Sequence, residues 1–215
     1  MSLWAIVPIK PLKRGKSRLS EILSEYEREL LNEKLLTHTL KTLKSVTEID
    51  HHLLVSYDPA VLSIARDYGF RTIQESKNTS INKALRRGTL AAKALKASMV
   101  IIVPADLPFL SNSAISAMIK KSLGPPEIVI APDRIKNGTN ALFINPVGIL
   151  DYDFGQWSFK KHIEQAERKK IRVEIFINEE LSFDLDLPED YEQIKKQGFI
   201  ETEKLNNQQW RICDE

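Results

Sequence analysis

Five short segments of the 215-residue chain carry side chains able to do chemistry. The first, Pro8 to Leu19, holds Lys10, Lys13, Arg14, Lys16 and Arg18 with no acid among them. Gly15-Lys16-Ser17 invites a Walker A reading. That motif needs a glycine five residues before Gly15, where Lys10 stands, and Pro11 removes a backbone donor. What remains is a cluster of cations suited to a triphosphate, where they offset charge on the β- and γ-phosphates and on leaving pyrophosphate. A solvated basic loop is the plainer alternative. The second segment, Val103 to Pro108, places Asp106 directly after the most apolar run of the chain. A hard carboxylate held there is a good Mg²⁺ ligand; an aspartate that opens a turn is the alternative.

The third segment is Ala131-Pro132-Asp133-Arg134 followed by Asn137 to Leu142. Gly138 permits a close backbone approach to an anion, and Thr139 offers an N–H and a hydroxyl. Asn-Gly is equally a hairpin signal. The fourth, Phe154 to Phe159, leads into a helix, so free N–H groups and the Ser158 hydroxyl form an anion site or a simple cap. In the fifth, Phe183 to Asp190, alternation puts Asp184 and Asp186 on one face of a strand. Two carboxylates so placed repel unless a metal or a Lys/Arg lies between them. The histidines offer less. His51 and His52 point to opposite faces, His38 is a packed or solvent-facing helix residue, and His162, one helical turn after Ser158, could line a pocket but is expected at the surface.

These segments need elements to position them. Leu3–Ile9 is a buried strand. A helix over 24–46 opens with the capping box Ser24-x-x-Glu27 and carries Leu31, Leu35 and Leu43 at helical spacing. Strands follow at 52–57 and 70–74, with a helix over 59–68 between them that Gly69 stops. Ser80 caps a helix to about Ala97, Met99–Val103 is a strand, and Ser111 caps the next helix. Strands at 127–131, 140–144 and 171–177 alternate with helices over 158–169 and 188–197. Apolar strands alternating with amphipathic helices make an α/β fold, a mostly parallel mixed sheet with helices on both faces. Ligands of such sheets bind beyond the carboxyl ends of strands, where the first two segments stand.

No repeat or linker divides the chain, so one domain over 1–200 with a polar tail over 201–215 is expected. The tail could serve a homodimer. The single cysteine, Cys213, allows no internal disulfide. No secretion pattern opens the chain and the longest apolar runs are strand-sized, so a cytoplasmic protein without membrane spans is expected. With 31 Lys+Arg against 29 Asp+Glu, net +2, the composition is not that of a nucleic-acid binder.

Taken in order, the segments resemble the 2-phospho-L-lactate guanylyltransferase family of coenzyme F420 biosynthesis. The matching pieces are Ala5 to Pro11 with Lys16-Ser17-Arg18-Leu19, Ile81-Asn82-Lys83-Ala84-Leu85 and Pro104 to Pro108. They continue with Ala131 to Arg134, Gly138 to Leu142, Phe154-Gly155 with Ser158-Phe159 and His162, and Asp184-Leu185-Asp186 with Pro188-Glu189-Asp190. Gly15, where the family pattern expects alanine, and Leu187, where it expects threonine, depart from it. The resemblance implies a single-domain Rossmann-like nucleotide-diphospho-sugar transferase fold. It implies transfer of GMP from GTP to 2-phospho-L-lactate or phosphoenolpyruvate, with release of pyrophosphate. In that reading Asp106 binds Mg²⁺ with Asp186 or Asp184, and Lys16, Arg18 and Lys10 hold the triphosphate. Asn82 lies near the guanine, and Thr139, Gly155 and Ser158 bind the acceptor. Alternatives are the same reaction on 3-phospho-D-glycerate, or on a molybdopterin or sugar phosphate, though those last families open with a Gly-rich loop that is Pro/Lys-rich here. A non-catalytic nucleotide-binding protein is the alternative of another class.

Overall fold

The computed structural model describes residues 1–77 and 79–200. In chain order the elements are β1 (Leu3–Pro8), α1 (Glu25–Ser45), β2 (His51–Ser56), α2 (Pro59–Asp67), β3 (Arg71–Gln74), α3 (Ile81–Ala94), β4 (Met99–Ile102), α4 (Asn112–Lys120), β5 (Glu127–Pro132), β6 (Thr139–Asn145), α5 (Ser158–Arg168), β7 (Arg172–Ile175), α6 (Glu179–Ser182) and α7 (Pro188–Lys196). The expected tail over 201–215 lies outside the described residues.

The strands form one sheet in the order β3-β2-β1-β4-β6-β5-β7. All pairings are parallel except those of β6, which runs antiparallel to both β4 and β5. Alternation explains the layers. In β1, Leu3, Ala5 and Val7 pack with residues of α1, α2 and α4 on one face. Trp4 and Ile6 pack with residues of α3 on the other. A third cluster joins Leu19, Leu31 and Leu35 to Phe183, Leu185 and Tyr191, fastening α7 and the segment before it onto α1.

Local chemistry fixes the helix ends. The Ser24 hydroxyl accepts from the Glu27 amide (3.3 Å) while the Ser24 amide donates to the Glu27 carboxylate (2.8 Å). Ser80 and Ser111 cap α3 and α4 in the same sense. α3 stops at Ala94, short of the expected Ala97, because Lys96 turns left-handed (φ 66°) and the Ala97 amide returns to the Ala92 carbonyl. Among the described residues no helix is long and apolar enough to cross a membrane.

Two features aim the functional segments. The chain moves outward from β1 through β2 to β3, then crosses back to place β4 on β1's other side. That reversal opens a crevice beyond the ends of β1 and β4. The reversed β6 then brings its beginning to the same edge. Leu142 is opposite Ile102, the last residue of β4, so Thr139 and Asn140 stand beyond it.

Candidate active site

A cleft of about 660 Å³ runs along the carboxyl ends of β1 to β4. The cations Lys10, Arg14, Lys16 and Arg18 line one end, together with Asp106 and Asp186. Lys16 sits in a left-handed turn (φ 56°) before a single 3₁₀ turn over Ser17–Leu19. That conformation costs a residue with a Cβ about 1–2 kcal/mol. The side chain is only 7% exposed, and its ammonium lies 3.5 Å from Asp106 and 3.3 Å from Asp186. Arg18 reaches Asp186 from outside at 3.6 Å. Lys16 is therefore the positive group between Asp106 and Asp186, and not between the expected pair Asp184 and Asp186.

The segment carrying Asp184 and Asp186 is not the strand its alternation predicts. It is extended but joins no ladder among the described residues; the Leu185 amide bonds the Asp106 carbonyl at 3.1 Å. Alternation nonetheless survives, with Phe183 and Leu185 buried in the third cluster and the aspartates on the side of the site. Asp186 faces Lys16, while Asp184 faces Asn140, whose amide also bonds the Leu181 carbonyl. Burial, then the charges of Asp106 and Asp186, push the Asp184 carboxyl up to about 6. Asp190 holds the turn behind. It accepts from the amides of Asp186 (2.9 Å) and Leu187 (2.7 Å) and pairs with Arg134, whose guanidinium covers the Phe183 ring. Burial works to raise the Asp190 carboxyl, but these hydrogen bonds and the Arg134 charge hold it below the usual range.

Among the described residues no three metal-ligating side chains form a ready cage. The donor set still fits Mg²⁺. It consists of hard carboxylate oxygens crowded enough to repel, and Mg²⁺ takes one or two carboxylates together with water and substrate phosphates.

A second group gathers on the far side of Asp184, around the start of β6. Thr139, Ser158 and His162 are all buried there. His162 is not at the surface as expected but 0% exposed, on the same face of α5 as Ser158, Phe159 and Ala166. The Asp153 amide donates to Nε2 (3.1 Å), so Nδ1 carries the hydrogen and donates to the Thr139 hydroxyl (3.1 Å). Burial drives the imidazole down to about 4, so it is neutral at pH 7. Thr139 accepts from His162 and its own hydroxyl hydrogen is left to donate elsewhere. Gly155 takes a positive φ of 127° just before α5, a conformation few residues with a Cβ adopt.

Two expectations find the side chains otherwise engaged. Asn137-Gly138 forms the hairpin turn between β5 and β6, and the amides of both residues donate to the Asp133 carboxylate, at 2.8 and 2.7 Å. Gly138 therefore offers no free amide to an anion. The Asn82 amide group closes a reciprocal pair with Phe154, donating to its carbonyl (3.1 Å) and accepting from its N–H (2.8 Å). It fastens α3 to the loop before α5 and does not line the cleft.

The structure adds Glu75, which lines the cleft just past β3 and which sequence reasoning missed. Its side chain is 3% exposed, with Arg87 beside it at 3.2 Å. One acid among 29 carries no signal by itself; its place after a strand end is the only clue.

Residues 3–205 match the family model described as "Guanylyl transferase CofC like". A phosphoenolpyruvate guanylyltransferase of Rubrobacter xylanophilus is 34% identical over 201 residues, covering 94% of this chain and 97% of that protein. A 2-phospho-L-lactate guanylyltransferase of Methanobrevibacter smithii is 31% identical over 196 residues, covering 91% and 85%. Among solved structures, a protein described as a nucleotide-diphospho-sugar transferase from Desulfovibrio desulfuricans superposes with a TM-score of 0.73 at 13% identity, covering 92% and 88%. A nucleotidyl transferase from Methanothermobacter matches at 0.68 and 15%, covering 91% and 97%. These last two speak for the fold alone. With sequence relatives matched over nearly their whole lengths, the chain belongs to the CofC-like guanylyl transferases and is a nucleotidyltransferase.

Proposed function

We propose that the chain transfers GMP from GTP to 2-phospho-L-lactate or phosphoenolpyruvate, the acceptors named for its relatives. The observation that carries the reading is the position of the acidic centre between two unlike sites. Asp106 and Asp186 border a cationic cleft long enough for a nucleotide. Asp184 borders, through Asn140, the group holding Thr139 and Ser158.

In this reading Lys10, Lys16 and Arg18 bind the triphosphate. Thr139, Gly155 and Ser158 receive the acceptor, with the Thr139 hydroxyl directed by neutral His162 to donate to an anion. An oxygen of the acceptor phosphate forms a bond to the α-phosphorus. The bond from that phosphorus to the bridging oxygen of the β-phosphate breaks, and pyrophosphate leaves with the electron pair. A phosphomonoester has its second pKa near ~6, so the nucleophile arrives already ionised and needs no base. That fits a site rich in cations and carboxylates. The chain contributes positioning and charge screening. Mg²⁺, held by Asp106 with Asp186 or Asp184, would neutralise charge on the reacting phosphates. A cytoplasmic setting belongs to the same reading.

The test is competition. GTP and Mg²⁺ are offered with 2-phospho-L-lactate, phosphoenolpyruvate and 3-phospho-D-glycerate together, and adducts are resolved by mass. One of the first two should dominate. Adducts of 3-phospho-D-glycerate alone would displace the proposed acceptors.

A further inference from the structure

Glu75 is an acidic side chain at the cleft that the proposed reaction leaves without a task. It follows β3, at the opposite end of the cleft from Lys16 and Asp106. Both of its carboxylate oxygens are buried, and among the described residues neither accepts a hydrogen bond. A buried acceptor left unmade is costly, more so when charged, so natural proteins seldom retain one without a use. Arg87 of α3 stands beside Oε1 at 3.2 Å and is half exposed, so it balances the carboxylate's charge without filling its acceptor sites. Around Glu75 the cleft changes character: among its lining residues, Val55, Ile81 and Ala84 with the hydroxyls of Ser56, Thr79 and Ser80 replace the lysines and arginines of the other end. The three apolar side chains suit a flat ring, with one acidic group near its edge.

The spacing fits as well. In the order β3-β2-β1-β4, the ends carrying Glu75 and Asp106 are three strand intervals apart, about 14 Å at ~4.8 Å each. A nucleotide laid across the strand ends, phosphates at Lys16 and Asp106, directs its base toward Glu75.

On the footing of the proposed reaction, we infer that Glu75 selects the donor's base by accepting two hydrogen bonds from the edge of guanine. Guanine presents N1–H and the 2-amino group side by side, a pair of parallel donors matched to the two oxygens of one carboxylate. Adenine and cytosine present a ring acceptor at the corresponding place, which the carboxylate repels. Uracil presents one N–H between two carbonyls. Of the four common bases guanine alone satisfies both oxygens.

The test measures equilibrium binding of GTP, ITP and ATP to the full chain by calorimetry, alongside pyrophosphate release with phosphoenolpyruvate or 2-phospho-L-lactate. Hypoxanthine in ITP lacks the 2-amino group and removes one of the two bonds. The wild-type protein should bind GTP about ten- to a hundredfold more tightly than ITP, and ATP more weakly still. Glu75→Gln should weaken GTP by a similar factor and ITP by less, so that the GTP/ITP ratio falls toward one. Wild-type binding that does not distinguish GTP from ITP overturns the inference, and so does a Glu75→Gln protein, folded by circular dichroism, that keeps the wild-type ratio. If that variant fails to fold, Glu75→Asp takes its place, and a folded Glu75→Asp protein that keeps the wild-type ratio overturns the inference equally. Selective GTP binding without pyrophosphate release from any acceptor would instead overturn the transfer reaction and leave the role of Glu75 standing.

Discussion

His162 gives the site a built-in sensitivity to acid. The imidazole is fully buried, takes the Asp153 amide on Nε2 and directs Nδ1–H to Thr139. Burial is the largest cause of its low pKa; Asp153 opposes that shift and Lys161 reinforces it. In the unfolded chain the ring takes up a proton near its ordinary 6.5, whereas in the fold it refuses one until about 4. Protons therefore favour the unfolded state between those values. The contribution of neutral His162 is complete above about pH 7, declines as pH falls below 6.5 and is gone near 4. At ~1.4 kcal/mol per pH unit the gap amounts to about 3 kcal/mol. Burial also lowers His38 and His52, which act in the same direction, so the measurement must be a difference. Urea unfolding of the wild type and of His162→Gln, from pH 7.5 to pH 4.5, isolates the one ring. The wild type should lose about 2–3 kcal/mol more than the variant across that range. Parallel loss in the two proteins would refute the buried, neutral assignment and with it the orientation given to Thr139.

Two further perturbations probe the loops that shape the site. A Cβ at Gly15 would stand 2.5–2.9 Å from the end of Asn32, which is buried and donates to the Leu12 carbonyl at 2.6 Å. Gly15→Ala should cost about 1–3 kcal/mol, and adding Asn32→Ala should recover part of that loss; strictly additive costs in urea unfolding would show that the two positions do not compete for space. Asp190→Ala strips Arg134 and two backbone amides of their partner. It should cost roughly 2–4 kcal/mol and lower kcat by loosening Asp184 and Asp186, and unchanged stability would remove Asp190 as the anchor of that turn.

Much of the frame was legible because its signals are local. Ser24, Ser80 and Ser111 each announce a helix start, Gly69 an end, and the fully buried strands are the continuous apolar runs. The acidic pair at 184 and 186 was legible through its alternation with Phe183 and Leu185, although alternation alone could not tell a paired strand from an extended strap. What escaped depends on long-range partners. Asn82 lies 72 residues from Phe154, and only the fold shows its amide consumed there. The amides of Asn137 and Gly138 are taken by Asp133 across a turn whose closure no spacing rule specifies. The burial of His162 was available in principle, since positions 158, 159, 162 and 166 trace one helical stripe. At Gly15, where the resemblance leads one to expect alanine, the obstacle to a Cβ is invisible in one dimension: the Asn32 side chain is pressed against it.

The central claim is that the acidic centre joins a nucleotide to a phosphorylated acid with loss of pyrophosphate. GTP labelled in its α-phosphate, and separately in its γ-phosphate, tests this directly in the presence of Mg²⁺ and either proposed acceptor. The α-label should appear in an adduct with the acid and the γ-label only in pyrophosphate, and Asp106→Ala, folded as the wild type, should form no adduct. Transfer of the γ-label to the acid, or release of neither label with any acceptor, would contradict the account.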